Sequence, residues 1–310
     1  MSTVLFSHPA CLGHDTGPGH PERADRIRAV LAALEAEEFA MLLREEAPEV
    51  SVETLARAHP RAYVEGILSI VPEPDERVML DGDTVMSHGS RAAALRSAGA
   101  AVAAVDAVME GWAHNAFCAT RPPGHHAEAG RPMGFCLFSN AAVAAHHARA
   151  KWGAARVAVV DFDVHHGNGT QAILESDPGF FYASSHEMPL YPGTGDPSER
   201  GVANNVLNVA LRSMSGGPEF RAAWGDEIIP AVEAFGPDLL IVSAGFDAHR
   251  RDPLASLTVT TADFSWLSHE LVALAERACG GKLVSLLEGG YDLEGLAASA
   301  AAHVRALMRV

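Results

Sequence analysis

The sequence predicts an α/β fold, a single domain with one parallel β-sheet sandwiched between layers of helices. Two observations lead there. Short apolar runs rich in Val, Ile, Leu and Phe recur along the 310 residues, and longer helix-compatible stretches lie between many of them. That alternation is the signature of a parallel sheet covered on both faces. A third observation concerns chemistry. Groups able to bind metal or move protons follow directly after several apolar runs, where ligands sit in such sheets.

The strands are expected at V-L-F 4–6, F-C-A 117–119, V-A-V-V 157–160, F-F-Y-A 180–183, V-L-N-V 206–209, L-L-I-V 239–242 and L-V-S-L-L 283–287. Their near-continuous apolar content reads as burial on both faces. Helices are expected at 21–38, which opens with proline near its first turn, and at 90–109, which is rich in alanine. Further helical patterns cover 140–151, 219–235, 261–279 and 293–308. No repeat, low-complexity tract or linker interrupts the series, so one domain over 1–310 is expected.

The formal net charge of −16 argues against a protein that holds nucleic acid through phosphates, and is read as serving solubility. The four cysteines form no C-x-x-C pair, which argues against a cysteine-rich zinc site and for reduced thiols in a cytoplasm. The start M-S-T-V-L-F-S-H does not resemble a signal peptide, and no apolar run is expected to reach the length of a membrane span. Histidine is the outlier, with 16 residues, several of them clustered with carboxylates.

One cluster is D-F-D-V-H-H-G-N-G-T, residues 161–170. In an extended segment, side chains two apart share a face, so Asp161, Asp163 and His165 point one way, and Phe162 and Val164 the other. Asp163 and His165 can converge on one cation. Asp247, in S-A-G-F-D-A-H after the run at 239–242, is the candidate third ligand. Three protein ligands leave an open position, as in catalytic zinc, and the oxygen and nitrogen donors also suit Fe(II), Mn(II) or Co(II). His125 and His126, in R-P-P-G-H-H-A-E, can flank a water at that position, one as base and one steadying charge. Asp161 and Asn168 are candidate partners for those two rings, an Asp adding charge and an Asn only orienting. Tyr291, in E-G-G-Y-D, can donate to the oxyanion of a tetrahedral adduct.

Together these motifs resemble the histone deacetylase family of zinc amidohydrolases, in its class II-like bacterial branch, whose fold is arginase-like. The likeness runs from H-P-A-C-L-G-H-D and H-P-E-R near the start to E-G-G-Y-D near the end. The resemblance implies one catalytic zinc on Asp163, His165 and Asp247. It implies His126 as general base and acid, supported by Asn168, and His125 supported by Asp161. Asn168 is the class II form, where class I members carry Asp. Tyr291 matches the oxyanion tyrosine; some class II relatives carry His there and are weak deacetylases. Phe135 and Tyr191 match the two walls of an acyl-lysine tunnel. Gly134, Leu254 and Gly289 are assigned to the same substrate channel. The acidic residue that grips substrate backbone corresponds to Asp81 or Asp83. A structural potassium is implied on Asp161, Asp163, His165 and Ser184. Polyamine-specific relatives place Glu just after the D-P where this chain has Leu254, which argues against that substrate.

The expected activity is therefore removal of acetyl or other short acyl groups from an amine such as an acyl-lysine peptide, with an acetylpolyamine or another small amide as the alternative substrate. No nucleic acid or membrane partner is expected, and homo-oligomerisation stays open. Two competing readings are an arginase-like binuclear manganese hydrolase and a non-enzymatic binder of an acylated ligand or partner. His166, His186, His249 and His303 are expected to be structural, while His8, Cys11, His14 and His20 are expected to shape the rim of the site.

Overall fold

The computed structural model describes residues 2–309. Its strands are β1 (Thr3–Ser7), β2 (Leu43–Glu46), β3 (Arg77–Met79), β4 (Val85–Ser87), β5 (Asn115–Cys118), β6 (Val157–Asp161), β7 (Phe180–Glu187), β8 (Val206–Leu211), β9 (Leu239–Ala244) and β10 (Leu283–Leu287). Eight form one sheet in the order β2-β1-β5-β10-β9-β6-β7-β8, and β3 and β4 make a separate hairpin. Every pairing in the large sheet is parallel.

The helices are α1 (Ala24–Ala33), α2 (Val52–Leu55), α3 (Arg61–Ser69), α4 (Ser90–Glu110), α5 (Asn140–Trp152), α6 (Asn168–Leu174), α7 (Gly217–Ala222), α8 (Ile229–Phe235), α9 (Thr261–Cys279) and α10 (Leu293–Met308). They cover the sheet on both faces. Strand alternation sorts the core into two halves. Val157, Val159, Leu239 and Ile241 pack with Ala98 and Val105 of α4 and Val143 of α5. Ala158, Val160, Leu240 and Val242 pack with Ile27 of α1, Leu271 of α9 and Val304 of α10. The result is the three-layer α/β architecture the sequence predicts.

Several expectations need correction. The strand expected at 117–119 runs over Asn115–Cys118, and the helix expected at 21–38 is confined to Ala24–Ala33. The helix expected at 219–235 is divided. A π-helical segment, Ala223–Ile228, joins α7 to α8, just before Pro230. Proline lacks the amide that an uninterrupted helix needs at that point, and a local widening of the helix accommodates the loss. One helix, α4, is in fact long and apolar enough to cross a membrane, and most of its apolar stretch is buried within the fold.

Helix α4 touches the chain ahead of α2 at Gly99, where any Cβ would overlap the Pro48 carbonyl oxygen. Gly99→Ala should therefore destabilise the fold by about 1–3 kcal/mol. A lowered denaturant midpoint with an unchanged slope is the expected result; an unchanged midpoint would contradict the contact.

Candidate active site

The strands that precede the four motifs are the four adjacent strands β5, β10, β9 and β6 at the middle of the sheet. Segments as far apart as 121–126 and 288–291 therefore meet at one edge, beyond the carboxyl ends of those strands. There Asp163, His165 and Asp247 each place a ligand atom within 4.8 Å of the others, and all three residues are buried. His165 Nδ1 lies 3.1 Å from Asp163 Oδ1 and 3.1 Å from Asp247 Oδ2. The backbone aims both carboxylates. The Gly289 amide donates to Asp163 Oδ2 at 2.8 Å, and the Val164 amide donates to Asp247 Oδ1 at 2.8 Å. Gly245 and Gly289 must be glycine, because a Cβ at either would overlap these carboxylate oxygens.

The group fits a metal ion on its own chemistry. Burial and the neighbouring Asp163 carboxylate push the Asp247 carboxyl up to about 7. Burial disfavours a charged His165, yet its hydrogen bonds to Asp163 and Asp247 raise it to about 10. The three residues thus crowd negative charge that a proton on imidazole only partly offsets. A dication at their centre would balance both carboxylates and take the imidazole as a neutral ligand.

The two histidines beside this group have opposite surroundings. Their ring centroids are 4.0 Å apart. His125 Nδ1 lies 2.9 Å from Asp161 Oδ2, and His126 Nδ1 lies 2.9 Å from Asn168 Oδ1. Burial opposes charge on His125, but the Asp163 and Asp161 carboxylates hold it well above the ordinary range. His126 is pushed well below that range by burial, then by His125 and His165. The two rings are thus biased in opposite directions, His125 toward its charged form and His126 toward its neutral one.

A cavity of about 240 Å³ opens onto this floor, and His126, His165 and Tyr291 face it together with Leu254. Its walls are aromatic: Phe135 meets Tyr291 edge-on at 5.9 Å, and Tyr191 meets His126 edge-on at 5.1 Å. Burial holds the Tyr291 phenol protonated. Gly134 and Phe135 both adopt left-handed backbone, at φ 56° and 68°. That conformation is costly for Phe135 and marks a constrained wall. Gly134 leaves room for the His126 ring, which a Cβ would strike. Of the two acidic candidates, Asp83 lines the cavity, while Asp81 pairs with Arg131 at 3.4 Å. Gly289, expected in the channel, instead sits behind the Asp163 and Asp247 carboxylates. Ser184 lies opposite Asp161 in the sheet register, with its hydroxyl 3.0 Å from His186 Nδ1.

Known proteins resemble this chain in sequence and fold. The family model for the histone deacetylase domain matches residues 20–307. The chain belongs to the histone deacetylase family. It is 38% identical to histone deacetylase 14, chloroplastic, of Arabidopsis thaliana, over 98% of this chain and 76% of that protein. It is also 38% identical to the histone deacetylase-like amidohydrolase of Pseudomonas aeruginosa, over 94% of this chain and 82% of that protein. The crystal structure of the HDA15 HD domain superposes with a TM-score of 0.92 at 36% identity, covering 99% of this chain and 88% of that one.

In this histone deacetylase domain, three supports of the site escaped the sequence reading. Glu288 accepts from the amides of Gly124 and His125 at 2.7 and 3.2 Å and from Ser243 Oγ at 3.1 Å, tying the histidine loop to β9 and β10. Asp252 accepts from the Tyr291 amide at 2.7 Å. The third is a buried charge cluster under Tyr291. Arg121 grips Glu22 through two hydrogen bonds, of 2.6 and 2.5 Å, and Arg26 donates to Glu22 Oε1 at 3.1 Å. Arg26 also donates to the carbonyls of Glu288 and Gly290 and lies 4.8 Å over the Tyr291 ring. Only proximity to H-P-E-R and R-P-P-G-H-H hinted at this cluster.

The remaining histidines divide. His166 bonds Thr194 and Gln171, each at 2.8 Å, and His303 bonds Ser268 and Ser285, each at 2.8 Å, as expected of structural residues. Of the four residues expected at the rim, His20 packs edge-on against Phe135 at 4.8 Å and so braces the cavity wall. The others do other work. His8 caps a short 3₁₀ turn, Cys11 gives its carbonyl to Arg121, and His14 is buried against Ser90.

Glu22 carries a testable consequence. Burial alone would raise its carboxyl, but Arg121, His14 and Arg26 hold it down from 4.5 to about 2. A depressed folded value means that its stabilisation is complete above pH 4.5 and is lost as pH falls toward 2. Glu22→Gln leaves two buried guanidinium groups short of a counter-charge and should cost about 3–5 kcal/mol at neutral pH. Denaturation across pH checks this: the gap between the variant and the native chain should close in acid, and a gap independent of pH would contradict the assignment.

Proposed function

We propose that this chain is a zinc-dependent deacetylase that hydrolyses the amide of an acyl-lysine side chain or another small acylated amine. The observation that carries the proposal is the meeting, at one cavity floor, of an Asp-Asp-His donor set, two histidines of opposite electrostatic character and a protonated tyrosine. Zinc, bound by Asp163, His165 and Asp247, would supply Lewis acidity to the acyl carbonyl and to water.

The chain's own groups account for the proton movements. His126, neutral and with Nδ1 engaged by Asn168, takes a proton from the attacking water. The oxygen of that water bonds to the acyl carbon. Tyr291 donates a hydrogen bond to the developing oxyanion and keeps its proton. His125, its Nδ1 hydrogen-bonded to Asp161, steadies the added negative charge. His126 then passes its proton to the leaving nitrogen, the C–N bond breaks, and acetate and amine separate.

The walls support a lysine-like substrate. Phe135 and Tyr191 offer flat apolar surfaces to an aliphatic stem, and Asp83 is an acceptor for amide hydrogens at the cavity. Leu254 brings no charge to its part of the wall, so Asp83 is the carboxylate among the lining residues. The same reading includes a structural potassium ion at Asp161, Asp163, His165 and Ser184, supported by the register that sets Ser184 beside Asp161.

The test is acetate release from an acetyl-lysine peptide by zinc-loaded protein. A chelator should abolish release, and zinc should restore it. Tyr291→Phe should lower kcat by ~10²–10³-fold with little change in KM, because its hydrogen bond strengthens only as charge develops. Full activity in a metal-free preparation would overturn the proposal.

A further inference from the structure

Asn168 orients His126, but an amide side chain has two seatings related by a half-turn, and they have opposite effects. With Oδ1 toward His126, the amide accepts, and the imidazole must carry its proton on Nδ1. With Nδ2 toward His126, the amide donates, and the proton moves to Nε2. Only the first leaves Nε2 bare to take a proton in the cavity. His126 itself does not decide between them, because either of its ring nitrogens can hold the hydrogen.

The neighbours of Asn168 decide. Its Nδ2 lies 3.0 Å from Glu128 Oε1 and 3.4 Å from Met133 Sδ. A carboxylate and a thioether have no hydrogen to give, so the NH₂ group must face them. Sulfur is a weak acceptor, which leaves the Glu128 carboxylate as the dominant influence. Glu128 is held in turn: its amide donates to the Arg131 carbonyl at 3.0 Å, closing a tight turn, and the residue is half-buried. We infer that Glu128 is a positioning residue: its carboxylate locks the Asn168 amide and so fixes the proton of His126 on Nδ1, with Nε2 free. The role of that free nitrogen rests on the deacetylase reading above; the tautomer itself does not.

His125 needs no such device. Its partner Asp161 is a carboxylate, which accepts however it is turned. The dependence on Glu128 is specific to an amide partner, and that specificity supplies the test.

Two measurements on the zinc-loaded chain decide the matter. The first is ¹⁵N NMR of histidine-labelled protein, with His126 assigned by difference from His126→Ala. The native chain should show a protonated Nδ1 and a bare Nε2. Glu128→Ala should bring in the opposite tautomer, and Glu128→Gln, which keeps an acceptor oxygen, should restore the native pattern. An unchanged His126 signal in Glu128→Ala would overturn the inference. The second is kinetic. Glu128→Ala should lower kcat by ~10–100-fold, with KM held within about twofold, and Glu128→Gln should recover most of the loss. In an Asn168→Asp background no amide remains to turn, so Glu128→Ala should cost nothing further. An equal loss in both backgrounds would mean that Glu128 acts through the fold, and would overturn the inference. Absence of acetate release by the native chain would remove the deacetylase reading and leave the tautomer to be judged by NMR.

Discussion

The structure depends on how it holds negative charge out of water. Asp161, Asp163, Asp247 and Glu288 are all essentially inaccessible, and all cluster where the central strands end. Isolated, each would be too costly to bury as a carboxylate. The fold answers with backbone amides at strand ends, with imidazoles, and with room for a cation where amides and imidazoles run out. The glycines follow from the same demand. Gly245, Gly289 and Gly167 let main chain approach Asp163, Asp247 and Asp161 at distances that a side chain would prevent.

Once the carboxylates are placed, the contrast between the two histidines follows. His125 faces carboxylates, which favour its charged form, while His126 faces an amide and other imidazoles, and burial favours its neutral form. Two adjacent residues of identical chemistry thus acquire opposite electrostatic character from their surroundings. Tyr291 is set by a different mechanism. Its loop hangs from Asp252 on one side and from Arg26 on the other, and Arg26 is held by the buried Glu22. A buried charge cluster therefore fixes the position of the Tyr291 loop.

Much of this was legible in the sequence, for definable reasons. The strand L-V-S-L-L and the last two helices fall where the pattern puts them, because apolar periodicity and caps agree there; Thr260 with Asp263, and Asp292, supply those caps. The alternation of D-F-D-V-H separates polar from core residues, and Phe162 and Val164 are indeed core. Strand β2 was missed because L-R-E-E is an exposed edge strand with no apolar run to read. The Glu22–Arg26–Arg121 cluster, Glu288 and Asp252 were missed because their partners are remote in sequence. Glu128 stood inside a quoted motif, but its task depends on Asn168, 40 residues away, and no local pattern announces it.

The central claim is that Asp163, His165 and Asp247 form one mononuclear metal site that balances this buried charge. Metal content after zinc loading and removal of excess metal tests it most directly, in the native chain and in Asp247→Ala. The account predicts one zinc per native chain and loss of zinc from the variant. Two tightly held ions per chain, or full zinc retention without Asp247, would contradict it.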